Sequence, residues 1–230
     1  MIDEHAFNAA WYGAPTGIVR DPAWLASPVD EVRTELARFA WVEMRCPPGA
    51  VDRARLASLG FFVADTQIRF RLGLRALAST PSVEAFALRW ADQAPFEIPA
   101  DAMAPFNHEP YRHVPGMTQA RLDDRYARWA ALLLADSPAT CVRVEYGDQI
   151  QGWFFSKPEG PRLRMALAMN ARDAVASGLH VYQAAALGYA GRGHAVGEAT
   201  FSAHNTAVLN IYAHLGARFV STEDRWLWIP

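Results

Sequence analysis

The feature that most constrains the fold is a change of hydrophobic period between residues 140 and 216. Residues 140–146 alternate, with Val142, Val144 and Tyr146 on one side and Arg143 and Glu145 on the other; period two marks a half-buried strand. Gly147-Asp148 makes a tight turn, and residues 149–156 read as the returning strand of a hairpin. A second turn, Lys157-Pro158-Glu159-Gly160-Pro161, leads into residues 162–169, where Leu163, Met165, Leu167 and Met169 share a face. After a polar loop at 170–177 the period lengthens. Leu179, Tyr182, Ala186 and Tyr189 recur at helical spacing until Gly191-Arg192-Gly193 stops the helix. Residues 194–201 form a strand. Residues 205–215 form a second helix, with Val208, Ile211, Tyr212 and Leu215 on its apolar stripe and Gly216 as its stop. Residues 217–221 and 225–229 are the last strands. The strand, loop, helix, strand unit in this order closes as a right-handed crossover between parallel strands. The loop before its helix lies where backbone N–H groups and the helix dipole can hold a phosphate. The expected class is α/β of the α+β kind, a mixed central sheet flanked by helices.

Upstream, residues 121–135 read as a helix through Leu122, Tyr126, Trp129 and Leu133, and residues 95–115, rich in Pro, His and aromatics, read as a loop region lining a site. An internal repeat is also visible. Leu59-Gly60-Phe61 to Phe70 matches Leu215-Gly216-Ala217 to Trp226 at Leu, Gly, Thr and Arg, and each stretch follows a strand (40–45; 195–200) and a helix (51–59; 205–215). The first 75 residues therefore look like a β-α-β-β lobe echoing the C-terminal one. This predicts two units, 1–78 and 85–230, joined by a linker at 76–84.

Composition removes several function classes. With 22 basic and 24 acidic residues and no Lys/Arg run, nucleic acid is not the expected partner. Cys46 and Cys141 are far apart, so neither a disulfide framework nor a zinc knuckle is expected, and no ligand spacing supports a metal. No apolar run approaches a membrane span, and the N-terminus lacks the pattern of a signal peptide. A cytoplasmic protein without a membrane partner is expected. A homodimer is also expected if the terminal strands, apolar on one face, pair at a sheet edge.

Asn205-Thr206-Ala207-Val208-Leu209-Asn210-Ile211-Tyr212-Ala213-His214-Leu215-Gly216-Ala217-Arg218 resembles the Asn-x-x-Ala/Val-x-x-x-Tyr-x-x-x-Gly-Phe signature of GNAT N-acetyltransferases. The element order after residue 85 is similar to the GNAT core, and the N-terminal lobe is similar to a degenerate GNAT half. The length, the two lobes, the segment Phe106-Asn107-His108-Glu109-Pro110-Tyr111-Arg112 and the following helix with Trp129 are similar to bacterial acetyltransferases of nucleotide-linked amino sugars, such as TDP-fucosamine acetyltransferase. The resemblance implies acetyl-CoA or another acyl-CoA as co-substrate and a small-molecule amine as acceptor. Tyr212 falls where the family keeps a phenol near the CoA sulfur, and a phenol can give the departing thiolate a proton. Asn205, which can cap its helix, falls where the family contacts the cofactor. Ala168 and Met169, ending the strand at 162–169, would offer backbone groups to the donor. In the pyrophosphate loop the family pattern Arg/Gln-x-x-Gly-x-Gly/Ala meets Asp173, Ala176 and Gly178. Ser177 and Leu179 flank the same turn, and Asp173 brings negative charge toward a diphosphate.

Each of these residues has a plainer reading. Tyr212 is one member of an apolar stripe, Asn205 a cap, and Trp226 and Trp228, which on one strand face could stack on an acceptor, a core or interface pair. His108, Tyr111, His113 and Glu198 are the candidate acceptor-site residues, and His108, His113, Glu145 and Glu198 the candidate bases; a water chain is a further route. The atypical loop leaves three functions open: acetyl transfer to an amine, a non-catalytic GNAT-fold binding protein, and transfer from a different acyl donor or to a natural-product amine.

Overall fold

The computed structural model describes residues 1–99 and 101–230. Ten strands form one mixed sheet in the order β1-β2-β3-β10-β4-β9-β8-β7-β6-β5. The N-terminal part contributes β1 (Ile2–Glu4), α1 (Ala6–Tyr12), β2 (Thr16–Val19), α2 (Val29–Leu36), β3 (Trp41–Cys46), α3 (Arg53–Leu59) and β4 (Phe61–Gly73). The short α4 (Pro81–Glu84), β5 (Phe86–Trp90) and the long α5 (Gln119–Asp136) follow. The C-terminal part contributes β6 (Cys141–Tyr146), β7 (Gln149–Glu159), β8 (Arg162–Asn170), α6 (Gly178–Gly191), β9 (Val196–Ser202), α7 (Thr206–His214) and β10 (Arg218–Trp228).

The repeat is visible as topology. β1, antiparallel to β2, then β2-α2-β3-α3-β4 corresponds to β7, antiparallel to β8, then β8-α6-β9-α7-β10. The two copies exchange their last strands: β10 pairs antiparallel with β3, β4 pairs antiparallel with β9, and β4 and β10 pair with each other. The shared Leu-Gly step explains the matching entry into both strands. Gly60 (φ 91°) and Gly216 (φ 78°) lie in the left-handed region that ends a helix, where a side chain would be strained.

The expected short strands at 217–221 and 225–229 are one long strand, β10. The polar stretch Thr222-Glu223-Asp224 does not break β10, because those residues pair with Ile68, Gln67 and Thr66 of β4, and Asp224 accepts from Thr66 Oγ1 (2.9 Å). The extra residues are absorbed by bulges at Val220 and Ala64. Since β10 lies inside the sheet, its apolar face offers no edge for a second copy; the edges are β1 and β5. Trp226 and Trp228 pack in the core under α2 and α3. Among the described residues no helix is long and apolar enough to cross a membrane.

Alternation along the strands divides the core. On one face, Phe70, Leu72, Val142 and Phe154 pack under α6 and α7, and Val42, Met44 and Phe61 under α2 and α3. On the other face, Trp153, Phe155, Leu167 and Met169 pack under α5, and Trp41 and Leu227 meet Trp11 of α1 and Tyr111. Between those two covers the central strands are polar.

Candidate functional site

The central strands carry a continuous polar face. Residues directly opposite in an antiparallel pair point the same way. The rows Arg45–Arg225–Asp65, Glu223–Gln67–Ser202, Arg69–Thr200 and Arg71–Glu198 therefore share one side of the sheet. This face floors a cleft of about 870 Å³, roofed by residues 104–110 and by Arg125, Tyr126 and Trp129 of α5.

The cleft continues through the sheet. β8 and β9 are parallel, yet only Leu163–Gly197 and Arg164–Glu198 are paired. Beyond them the strands part, and Met165–Ala168 of β8 and Ala199–Ser202 of β9 line the opening. A bulge contributes to the parting: Phe155 faces Leu167 and Ser156 faces Met165, leaving Ala166 without a partner in β7. Gly197 sits at the vertex, where a Cβ would lie 2.4 Å from Met165 Sδ. On the helix side the opening is walled by Tyr182 of α6 and by Asn205, Val208, Ile211 and Tyr212. The corresponding N-terminal pair is closed. All four residues of β2 pair with β3, and a side chain at Gly17 would strike Ile2 and Val42.

Tyr212 is buried, its ring 3.9 Å from that of Phe70 and edge-on to Tyr182 at 5.6 Å. Its hydroxyl makes no hydrogen bond to another described residue. Burial, reinforced by the neighbouring phenols of Tyr182 and Tyr189, raises its pKa well above the ordinary value, so it stays protonated. Asn205 caps α7, its Oδ1 accepting from Val208 N–H at 3.1 Å, and also lines the cleft.

Of the residues expected from sequence, Tyr212, Asn205, Ala168, His108 and Glu198 line the cleft. Met169 is buried under α5 instead. Tyr111 is buried behind the cleft wall, and His113 is exposed with its ring edge-on to Phe62 at 5.7 Å. Glu145 sits in β6, paired with Arg89 and Arg143 away from the cleft. Asp173, Ala176, Ser177, Gly178 and Leu179 form the turn into α6 outside the cleft wall. There the buried Gln151 accepts from both Val175 and Ala176 N–H at 2.9 Å, so two amides of the expected phosphate loop already have a partner. Ser177 makes no side-chain cap, which leaves the first-turn amides of α6 without a side-chain acceptor.

Glu198 is held by Arg71 (2.8 Å), Arg162 (3.0 Å) and Arg69 (3.9 Å). The Arg71 hydrogen bond, followed by the nearby charges, lowers its pKa, which makes it a poor base. Glu223 was missed from sequence. It lines the same cleft and makes no ion pair with another described residue. The signal that could have found it is the alternation Asp65-x-Gln67-x-Arg69-x-Arg71, a polar strand face opposite the polar stretch of β10.

No family model and no curated protein matches the sequence. Solved structures do resemble the fold. A GCN5-related N-acetyltransferase from Sphaerobacter thermophilus superposes with a TM-score of 0.60 at 13% identity, over 94% of this chain and 73% of that one. The chain has the fold of the GCN5-related N-acetyltransferases. A tandem GNAT protein from the clavulanic acid biosynthesis pathway matches at 0.51 and 12%, over 94% of this chain and 75% of that one. A GCN5-related N-acetyltransferase from Kribbella flavida matches at 0.50 and 11%, over 92% and 80%. The match to a tandem protein agrees with the two-lobed GNAT layout described above.

Proposed function

We propose that the protein is an acyl-CoA-dependent N-acyltransferase that moves an acyl group, acetyl in the simplest case, to a primary amine of a small molecule. The observation that carries this reading is the parted β8–β9 pair, opening a passage between the α7 side and the polar floor on the other face. Thioester and amine can then approach from opposite sides of one sheet.

The residues fit most of the donor. Met165, Ala168, Val208 and Ile211 give an apolar channel suited to a pantetheine arm, and the unpaired edge at Ala166–Ala168 offers backbone groups to its amides and to the thioester carbonyl. The phosphate end would rest on the first-turn amides of α6, since Gln151 occupies those of Val175 and Ala176. An acyl-CoA supplies the activated thioester. Tyr212, kept protonated by burial, donates to the departing sulfur. Glu223 takes the proton of the attacking amine, directly or through water. The apolar walls exclude bulk water from the thioester. A nucleotide-linked amino sugar is the acceptor to screen first on the resemblance at residues 106–112.

A second reading has its own support. Gln151 filling two loop amides and Asp173 beside the loop are what a protein with a different donor, or with no transfer activity, would retain. Mass-spectrometric detection of product from a panel of acyl-CoAs and amines, with calorimetric titration of CoA, decides between the two. N-acylated product with free thiol is expected. Absence of both binding and turnover across the panel overturns acyl transfer and leaves the second reading.

A further inference from the structure

The α5 end of the cleft contains two guanidinium groups that the proposed transfer does not use. Arg225 and Arg125 are only 6% and 7% exposed, and both line the cleft. Arg225 Nη2 donates to Glu43 Oε2 (3.0 Å) and to the Tyr111 hydroxyl (2.7 Å), and that hydroxyl donates to Glu43 Oε2 at 2.5 Å. Its Nε is fully buried and has no partner. Arg125 donates through Nε to Asn8 Oδ1 at 3.1 Å and lies 4.5 Å from the Tyr111 ring centroid. No carboxylate among the described residues pairs with it. Burying a charge without a counter-charge is costly, and contact with ring faces offsets only part of that cost.

The charges nearby define the missing partner. Arg45, Arg125 and Arg225 face three buried carboxylates, Glu43, Glu109 and Asp65, the last accepting from Ser202 Oγ at 2.7 Å. Glu43 is shared by Arg45 and Arg225, and Glu109 accepts from Tyr126 OH and Tyr111 N–H. None of the three pairs with Arg125, whose guanidinium fork matches a carboxylate in two parallel hydrogen bonds. Beside it, Phe106 and Tyr126 stack at 3.7 Å and Trp129 continues the wall. We infer that this end of the cleft binds a carboxylate of the acceptor, with Arg125 as its main contact. The acceptor is then an amine that also carries a carboxylate. The word acceptor rests on the acyl-transfer reading; the carboxylate site does not.

The test uses matched probes: phenylalanine against phenylalaninamide, para-aminomethylbenzoate against its carboxamide, and phosphoethanolamine as the dianionic amine. Binding is read by calorimetry without donor, and transfer by product formation with acetyl-CoA. The acid member is expected to exceed its amide by a factor on the order of 100 in kcat/KM, the scale expected when a buried polar group loses its partner. The ratio should collapse toward one in Arg125→Met. In Arg125→Lys, which keeps the charge and loses the fork, it should be intermediate, and that variant serves if the methionine variant fails to fold. No acid preference in any pair, or preference for phosphoethanolamine, overturns the carboxylate site and leaves acyl transfer standing. Acid-selective binding without acyl product from any amine keeps the site and overturns acyl transfer.

Discussion

Replacing Tyr212 with Phe separates the chemical role of this residue from its structural one. The ring packs on Phe70 at 3.9 Å and meets Tyr182 edge-on, and phenylalanine keeps both contacts. The residue lines the cleft and its hydroxyl makes no hydrogen bond to another described residue, so phenylalanine loses no protein partner. Deletion of the hydroxyl is therefore expected to be neutral or to stabilise by up to about 1 kcal/mol. In a chain of this length that corresponds to a rise in Tm of no more than about 2–4 °C. The catalytic effect should be opposite and larger. Loss of a positioned proton donor is expected to lower kcat by about 100- to 1,000-fold. Thermal unfolding and thiol release under saturating donor read the two effects separately. The diagnostic is an acyl donor whose thiol leaves without needing a proton, such as an aryl thioester: Tyr212→Phe should recover most of its lost rate on it. A kcat deficit of the same size on both thioesters, or no deficit, refutes proton donation by Tyr212. A fall in Tm shows that the hydroxyl has a structural partner. Tyr182→Phe, equally buried and also lining the cleft, is the control expected to retain activity.

Three other outcomes follow from the cleft and its supports. Glu223→Gln should lower kcat by about 100-fold or more with little change in Tm, because the carboxylate has no ion pair to lose; an equal loss in Glu198→Gln with Glu223→Gln unaffected would exchange their roles. Gln151→Ala should destabilise by about 1–3 kcal/mol by freeing two amides, measured by urea unfolding, with the KM for acyl-CoA unchanged; a lower KM would show that Gln151 competes with the donor for those amides. Burial alone would raise the pKa of Glu43, but Arg225, Arg45 and the Tyr111 hydroxyl outweigh it and hold it well below the ordinary 4.5. Its stabilising contribution is fully present above the unfolded-state pKa and is lost as pH falls toward the folded-state one. Glu43→Gln should thus cost about 3–5 kcal/mol near neutral pH. The urea midpoints of parent and variant should converge as pH drops below 4.5; a gap independent of pH would contradict the assignment.

What could be read from sequence was set by local interactions. The helix at 205–215 is specified by the Asn205 cap and the Gly216 stop, both within one turn of it. The hairpins at 141–170 follow from alternation and from Gly147 and Gly160, both at positive φ. What escaped depends on partners far along the chain. Thr222-Glu223-Asp224 resembles a turn until β4, some 155 residues earlier in register, is laid beside it. Asp65-x-Gln67-x-Arg69-x-Arg71 resembles a solvated face until residues 104–110 and α5 are placed over it. The Gln151 contacts to Val175 and Ala176 arise because β7 passes under the loop, which no spacing in that loop reveals.

The exchange of β4 and β10 assigns different tasks to the two lobes. The N-terminal lobe closed its own cleft by pairing β2 with β3 throughout, while the C-terminal lobe kept β8 and β9 apart. Because β4 lies between β10 and β9, the closed lobe still places Gln67 and Arg69 in the floor of the open one, and β3 adds Arg45. Arg225 crosses in the other direction, from the C-terminal strand to Glu43 of the N-terminal lobe. Each lobe thus completes the polar half of the cleft with side chains that the other cannot supply. On this layout, removing the first lobe would strip Arg45, Gln67 and Arg69 from the floor and the counter-charge from Arg225, while the roof at 104–110 and α5 and the passage between β8 and β9 belong to the rest of the chain. The repeat in the sequence therefore marks a division of labour: one copy frames the opening and the other completes the polar floor beneath it.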